Sequence, residues 1–189
     1  MKWTGIAALG VVTAFSGASA ASAAPASREA VRAILRAPEA KARTAADWRA
    51  LGDDVDALLA EAAGDAQLVF GARQRAIAAL GTLGGPRAKT YLDSVFVKAD
   101  APAPILSSAV EAYARAFAKD EPALAQQRAA AVLANPDWQA RRGAARAMGI
   151  IGGNSAQAAL RAQKARETHP AVRSAIDSAL KEPGRAPGR

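Results

Sequence analysis

Cysteine is absent from the 189-residue chain, histidine occurs once, and aromatic residues make up only 5% of it. Without cysteine there are no disulfides, thiolate metal sites or thiol nucleophiles, so the fold rests on packing alone. His169 stands by itself before Pro170 and cannot build a histidine metal cluster. With few aromatic and β-branched residues, a sheet has little to pack with. Long apolar runs are missing too: Ile6 to Phe15 falls short of the roughly 20 residues that a spanning helix needs.

What is present is alanine, 54 residues of it. Alanine is the best helix former and buries little area, so the chain should gain stability from many close helix contacts rather than from bulky core side chains. Met1 to Ala24 reads as an export signal: Lys2, the short apolar run, then Ala18-Ser19-Ala20 and Ala21-Ser22-Ala23 as small-residue cleavage sites. The expected domains are a signal peptide over 1–24, a helical domain over 25–181 and a disordered basic tail over 182–189. The product is expected to be exported, periplasmic or secreted, with no integral membrane segment once the signal is cleaved. An uncleaved N-terminus would instead make a membrane-anchored structural envelope protein. The formal charge is +8, and its excess lies in the last third, where Arg128 to Arg189 carries 11 basic and 4 acidic residues.

One passage recurs at a distance of 68 residues. FGARQRAIAALGTLGGPRAKTYL, Phe70 to Leu92, is answered by WQARRGAARAMGIIGGNSAQAAL, Trp138 to Leu160. A fixed period marks a stacked-repeat architecture. Half that distance locates a degraded middle copy, with Ala109 to Tyr113 lying 33 residues after Ala76 to Leu80. Gly84-Gly85 and Gly152-Gly153 predict helix ends, and Pro86, Pro122, Pro136 and Pro170 predict helix starts. Ala76, Ile77, Leu80 and Leu83 follow helical spacing, as do Ala144, Ala147, Met148 and Ile151. The reading is helices near 27–36 and 53–63, then pairs 67–83 with 86–98, 103–118 with 121–134 and 136–151 with 154–167, and a closing helix over 170–181. Leu51-Gly52 echoes Leu80-Gly81 and suggests a divergent N-terminal unit.

A unit of Arg, Ala, Ala-Leu-Gly, Gly-Gly and a second helix with Leu resembles the HEAT repeat family, and more narrowly the short bacterial repeats of the phycobilisome-lyase type. The residues carrying it are Arg73, Ala76, Ala79, Leu80, Gly81, Gly84, Gly85 and Leu92, their counterparts from Arg141 to Leu160, and Val172, Arg173, Ile176, Ala179 and Leu180. The resemblance implies an all-α fold, an α-solenoid in which four to five units of antiparallel helix pairs form a right-handed superhelix. It implies that Arg73, Arg141 and Arg173 bond to the neighbouring unit. It also implies that small residues at Ala76, Ala79 and Gly81 bring the two helices of one unit together. Arg115 replaces the Gly81 position in the middle unit, so the stack is expected to bend there.

The family's shared residues build the stack, so function must come from elsewhere. Arg128, Arg161 and Lys164 lie on second helices, which the resemblance places on the concave side, and they are the candidate contacts to a protein partner, an acidic one by charge. No catalytic, metal or cofactor-binding residue is expected, and the chain reads as a monomeric, non-catalytic binding or scaffolding module. The alternative is a small lyase or other enzyme on the same scaffold. Nucleic acid is not an expected partner. Asp137-Trp138, the one carboxylate–aromatic pair suggesting a glycosylase, sits at a helix start, where Asp is an ordinary dipole partner.

Overall fold

The breaks written into the sequence become helix ends. The computed structural model describes residues 25–37 and 42–184, and among these are ten helices and no strand. They are α1 (Arg28–Arg36), α2 (Ala45–Arg49), α3 (Val55–Gly64), α4 (Phe70–Leu83), α5 (Gly85–Phe96), α6 (Ala103–Phe117), α7 (Pro122–Leu133), α8 (Trp138–Ile151), α9 (Gly153–Arg166) and α10 (Pro170–Lys181). The expected signal peptide lies outside the described residues.

Local chemistry accounts for the starts and stops. Ser27 caps α1, Thr44 and Asp47 form a reciprocal capping box on α2, and Asp137 accepts from the Gln139 N–H to cap α8. Each such cap contributes about 1 kcal/mol. Gly84 and Gly152 take positive φ, 64° and 67°, and each ends one helix while opening the next, so the chain turns within a single residue. With Gly152 as its N-cap, α9 starts at Gly153, one residue before the expected start at 154.

The architecture is an α-solenoid of HEAT-like helix pairs in two layers. In one layer α4, α6, α8 and α10 lie side by side in continuous contact. In the other, α3, α5, α7 and α9 touch each other sparsely while packing onto the first layer. The pairing expected from the sequence holds unevenly: α6 packs on α7 as closely as on α5, and α8 meets α9 about as closely as α10 does. The helices joined by Gly84, α4 and α5, scarcely meet, whereas α3 packs on α4 and α7 on α8. A corner made within one residue changes layer and carries the second helix away from the first.

Small residues set the tight layer, though not within a unit as expected. A Cβ on Gly81 of α4 would lie 2.7 Å from the Ala112 Cα of α6, and one on Gly149 of α8 would lie 2.8 Å from the Ala179 Cβ of α10. Glycine therefore brings successive helices of the same layer into backbone contact. Between α6 and α8, where Arg115 takes the glycine position, the close approach moves two turns back. There a Cβ on Gly143 would lie 2.6 Å from the Ser107 Cα. A layer whose members are drawn this close, facing one whose members are not, is the inner side of a curved stack.

Large side chains fill the space between the layers. Leu59, Ile77, Leu80, Leu92, Met148, Leu160 and Ile176 are fully buried, each worth about 1.5–3 kcal/mol. Helix α6 serves both halves of the core, with Ala109 and Tyr113 in the N-terminal cluster and Val110 and Ala114 in the C-terminal one. The recurring arginines tie helix ends together, and Arg141 departs from the expected tie to a neighbouring unit by forking onto Glu167 after α9, the helix expected to share its unit. The Arg73 Nε donates to the Ala63 carbonyl near the end of α3 (3.1 Å), and Arg173 donates to the Glu167 carbonyl after α9 (2.9 Å). Each satisfies carbonyls that a helix end leaves unpaired. Of the expected tail over 182–189, residues 185–189 lie outside the described residues; just before them the Gly184 N–H donates to the Gly149 carbonyl (2.8 Å), one of the carbonyls that the end of α8 leaves unpaired.

Candidate binding face

The stripe that each inner-layer helix leaves uncovered follows from its buried stripe. In α4 the buried residues Ala72, Ala76, Ala79 and Leu80 leave Gly71, Gln74, Arg75 and Ala78 on the opposite side, at the same helical spacing. By the same rule α6 presents Ser108, Glu111 and Arg115, α8 presents Arg142 and Arg146, and α10 presents Ser174, Ser178 and its neighbour Lys181.

Three grooves run along this face. Between α8 and α10 is one of about 490 Å³, floored by Gly149, Ala175 and Ala179 and walled by Arg142, Arg146 and Lys181. Across α4, α6 and α8 lies a second of about 350 Å³, holding Arg75, Arg115, Arg142, Arg146 and one carboxylate, Glu111. The third, about 290 Å³, is lined by Leu35, Trp48, Ala78 and Ala79 with Arg43, Arg75 and Arg115 at its edges. Arg75 belongs to two of the grooves, as do Arg115, Arg142 and Arg146, so the three form one surface.

The electrostatics are unbalanced. Burial pushes the Glu111 carboxyl above its usual range, and Arg146, Arg115 and Arg142 pull it back. Its oxygens lie 3.4 Å from Arg115 and 3.5 Å from Arg146. The Arg142 guanidinium lies over the Trp138 ring at 5.7 Å, and its Nε is buried without a hydrogen-bond partner. Arg75 is held in place by a 2.6 Å bond from its Nε to the Leu35 carbonyl of α1.

Arg128, Arg161 and Lys164 are elsewhere. They sit on α7 and α9 in the outer layer, which corrects their expected place on the concave side. The repeat's period is the same whichever layer curves inward, and here glycines draw the other layer together. Nor do the three form a stripe. Arg128 pairs with Asp93 of α5 (3.1 Å) and covers the Phe96 ring, Arg161 bonds to Gln157 of its own helix (3.0 Å), and Lys164 pairs with Asp177 of α10. Each is tied to its own stack.

The other polar clusters are ties as well. Lys89 of α5 bonds to the Tyr113 hydroxyl and to Glu121, both at 2.7 Å, which joins α5, α6 and the start of α7. Its Glu121 and Tyr113 bonds raise the ammonium above its usual value, burial raises the phenol, and Lys89 lowers the Glu121 carboxyl. Trp138 stacks on His169 at 4.2 Å, and the His169 Nδ1 accepts from the Ala171 N–H to cap α10. Among the described residues no group of three or more His, Asp or Glu side chains could hold a metal ion, and no helix is long and apolar enough to cross a membrane.

No protein-family model matches the chain, and no curated protein matches it significantly. Among solved structures it is similar to human deoxyhypusine hydroxylase in complex with glycerol, at 26% identity and a TM-score of 0.49, over 67% of this chain and 42% of that one. The chain thus spans less than half the length of that protein's chain. The expectation that the chain is not an enzyme is corrected by this similarity: the protein it resembles is by its name an enzyme, and the exclusion is withdrawn.

The arginines of the inner face escaped the sequence reading, although a signal for them was present. In the 68-residue echo Arg73 matches Arg141 and Gly81 matches Gly149, whereas Gln74 becomes Arg142 and Ala78 becomes Arg146. At those two places a neutral residue of one copy becomes a cation in the other while the helix around it is retained.

Proposed function

We propose that the chain is a binding or scaffolding module that holds an extended segment of a protein partner along the inner face. The observation carrying this reading is the run of joined grooves across α4, α6, α8 and α10. Arg43, Arg75, Arg115, Arg142, Arg146 and Lys181 line it against only Glu111 and Glu182. A rigid stack fixes those side chains before binding, which lowers the ordering cost of association. Membership among phycobilisome-lyase-type repeats is supported by the motif residues alone, and export by the pattern of residues 1–24 alone; N-terminal sequencing of mature protein tests the latter.

Site-specific photocrosslinking tests the docking face. A photoreactive residue at Ser108 or Ser174 of the inner face should give a discrete adduct with the partner, and one at Gln127 or Ala162 of the outer layer should not. Adducts from the outer positions alone, or equally from both faces, refute the reading.

A further inference from the structure

Two guanidinium groups pair with a single carboxylate in the middle groove, and a third stands beside them. Glu111 lies against Arg115 and Arg146, and Arg142 lines the same groove from α8. Each guanidinium carries five N–H donors in a fixed fork, far more than one carboxylate can engage. The excess charge is not relieved by other acids, because the remaining polar lining residues are Gln74, Ser107 and Ser108, with Arg75 adding a further cation. Gln74 is already spent on the Pro104 carbonyl and the Ser108 hydroxyl, both at 3.2 Å.

The repeat itself explains why the charge collects here. At the position where Gly81 and Gly149 bring neighbouring helices into contact, α6 has Arg115, and the close approach to α8 falls at Ser107 and Gly143. Arg146 then faces Arg115 across the groove, with Glu111 as their common counter-ion.

We infer that this middle groove is a carboxylate subsite, in which Arg115, Arg142 and Arg146 receive the acidic side chains of an extended peptide segment, with Glu111 as the resident competitor. The inference rests on the docking reading of the inner face and gives its partner a chemistry. A planar fork matches a carboxylate with two parallel bonds, so arginine rather than lysine at all three positions suits such a ligand.

Fluorescence anisotropy with the full chain at low ionic strength tests it, using a labelled peptide of alternating Glu and Ser, its Gln counterpart, and a single-stranded oligonucleotide of equal charge. The Glu peptide should bind, the Gln peptide should not, and added salt should weaken the complex. Arg115→Gln, Arg142→Gln and Arg146→Gln should each reduce affinity about fivefold or more, whereas Arg161→Gln with Lys164→Gln should leave it unchanged. Glu111→Gln removes the competitor and should tighten binding several-fold, a gain that misfolding cannot produce. Equal binding of the Gln peptide, equal loss from the outer-layer pair, or tighter binding of the oligonucleotide overturns the assignment. If inner-face crosslinks form while the Glu peptide fails to bind, the acidic preference falls and the docking face stands. If the crosslinks are absent as well, both fall.

Discussion

Gly149→Ala separates helix propensity from layer packing, because the two predict opposite signs. In an isolated helix the change gains about 0.8–1 kcal/mol. In the stack the new Cβ would lie 2.8 Å from the Ala179 Cβ and 3.1 Å from its Cα, with backbone on the far side that cannot rotate away. Overpacking of this kind costs about 1–3 kcal/mol, so the expected net effect is a loss of up to about 2 kcal/mol. The loss should be local, since in a solenoid each unit is held by its neighbours: amides of α9 and α10 should exchange faster, while those of α4 change little. The complementary truncation completes the cycle. Ala179→Gly alone costs helix propensity, yet combined with Gly149→Ala it removes the closest clashing atom, so the double variant should be more stable than the two single losses added together. Urea unfolding followed by circular dichroism measures all four proteins. Gly64→Ala is the control: its Cβ would meet Tyr91 at an ordinary 3.8 Å, and it should be neutral or gain up to about 0.5–1 kcal/mol. Stabilisation by Gly149→Ala, or strict additivity with Ala179→Gly, would refute the account of how the inner layer is drawn together.

Two other predictions concern the ends of α9 and α10. Glu167 is buried, and its fork with Arg141 at 2.8 and 2.9 Å holds its carboxyl at about 2, against an ordinary 4.5. The depressed value means this contribution, roughly 3 kcal/mol, is present above pH about 4.5 and is lost as pH falls through about 2. Glu167→Gln should flatten the stability profile over that window, and Arg141→Ala, which strands the buried carboxylate, should cost about 3–5 kcal/mol at neutral pH. His169→Ala removes the α10 cap and the ring stacked on Trp138 and should cost about 1 kcal/mol or more in thermal unfolding, with His169→Asn recovering the capping part.

The helices were legible because their ends are chemical events confined to a few residues. Gly-Gly, Pro and the alanine between them located most boundaries. The layers were not legible in the same way. Which helix of a pair lies inside depends on contacts between residues about 30 apart, such as Gly81 with Ala112 and Gly149 with Ala179. The period of the repeat is silent about such contacts. Arg128, Arg161 and Lys164 were placed by the family's usual curvature, and here the glycines put the other layer inward. The short helix α2 had no periodicity to reveal it, although Thr44 and Asp47 carry its capping box.

Arg115 is where fold and charge meet. Restoring the repeat residue at a divergent position commonly stabilises a protein, and Arg115→Gly would make the middle unit match its neighbours. The structure predicts the opposite outcome. The approach of α6 to α8 is already fixed two turns away at Ser107 and Gly143, so a glycine at 115 has no backbone waiting to close on it. It gives up the pair with Glu111 at 3.4 Å and places glycine in a helical turn, together a loss of about 1 kcal/mol or more. Glu111 keeps Arg146, but the groove loses a cation, so affinity for the Glu peptide should fall in step with stability. A rise in the urea midpoint for Arg115→Gly would show that α6 and α8 can be drawn together at that end, and the groove would then owe its opening to the arginine alone.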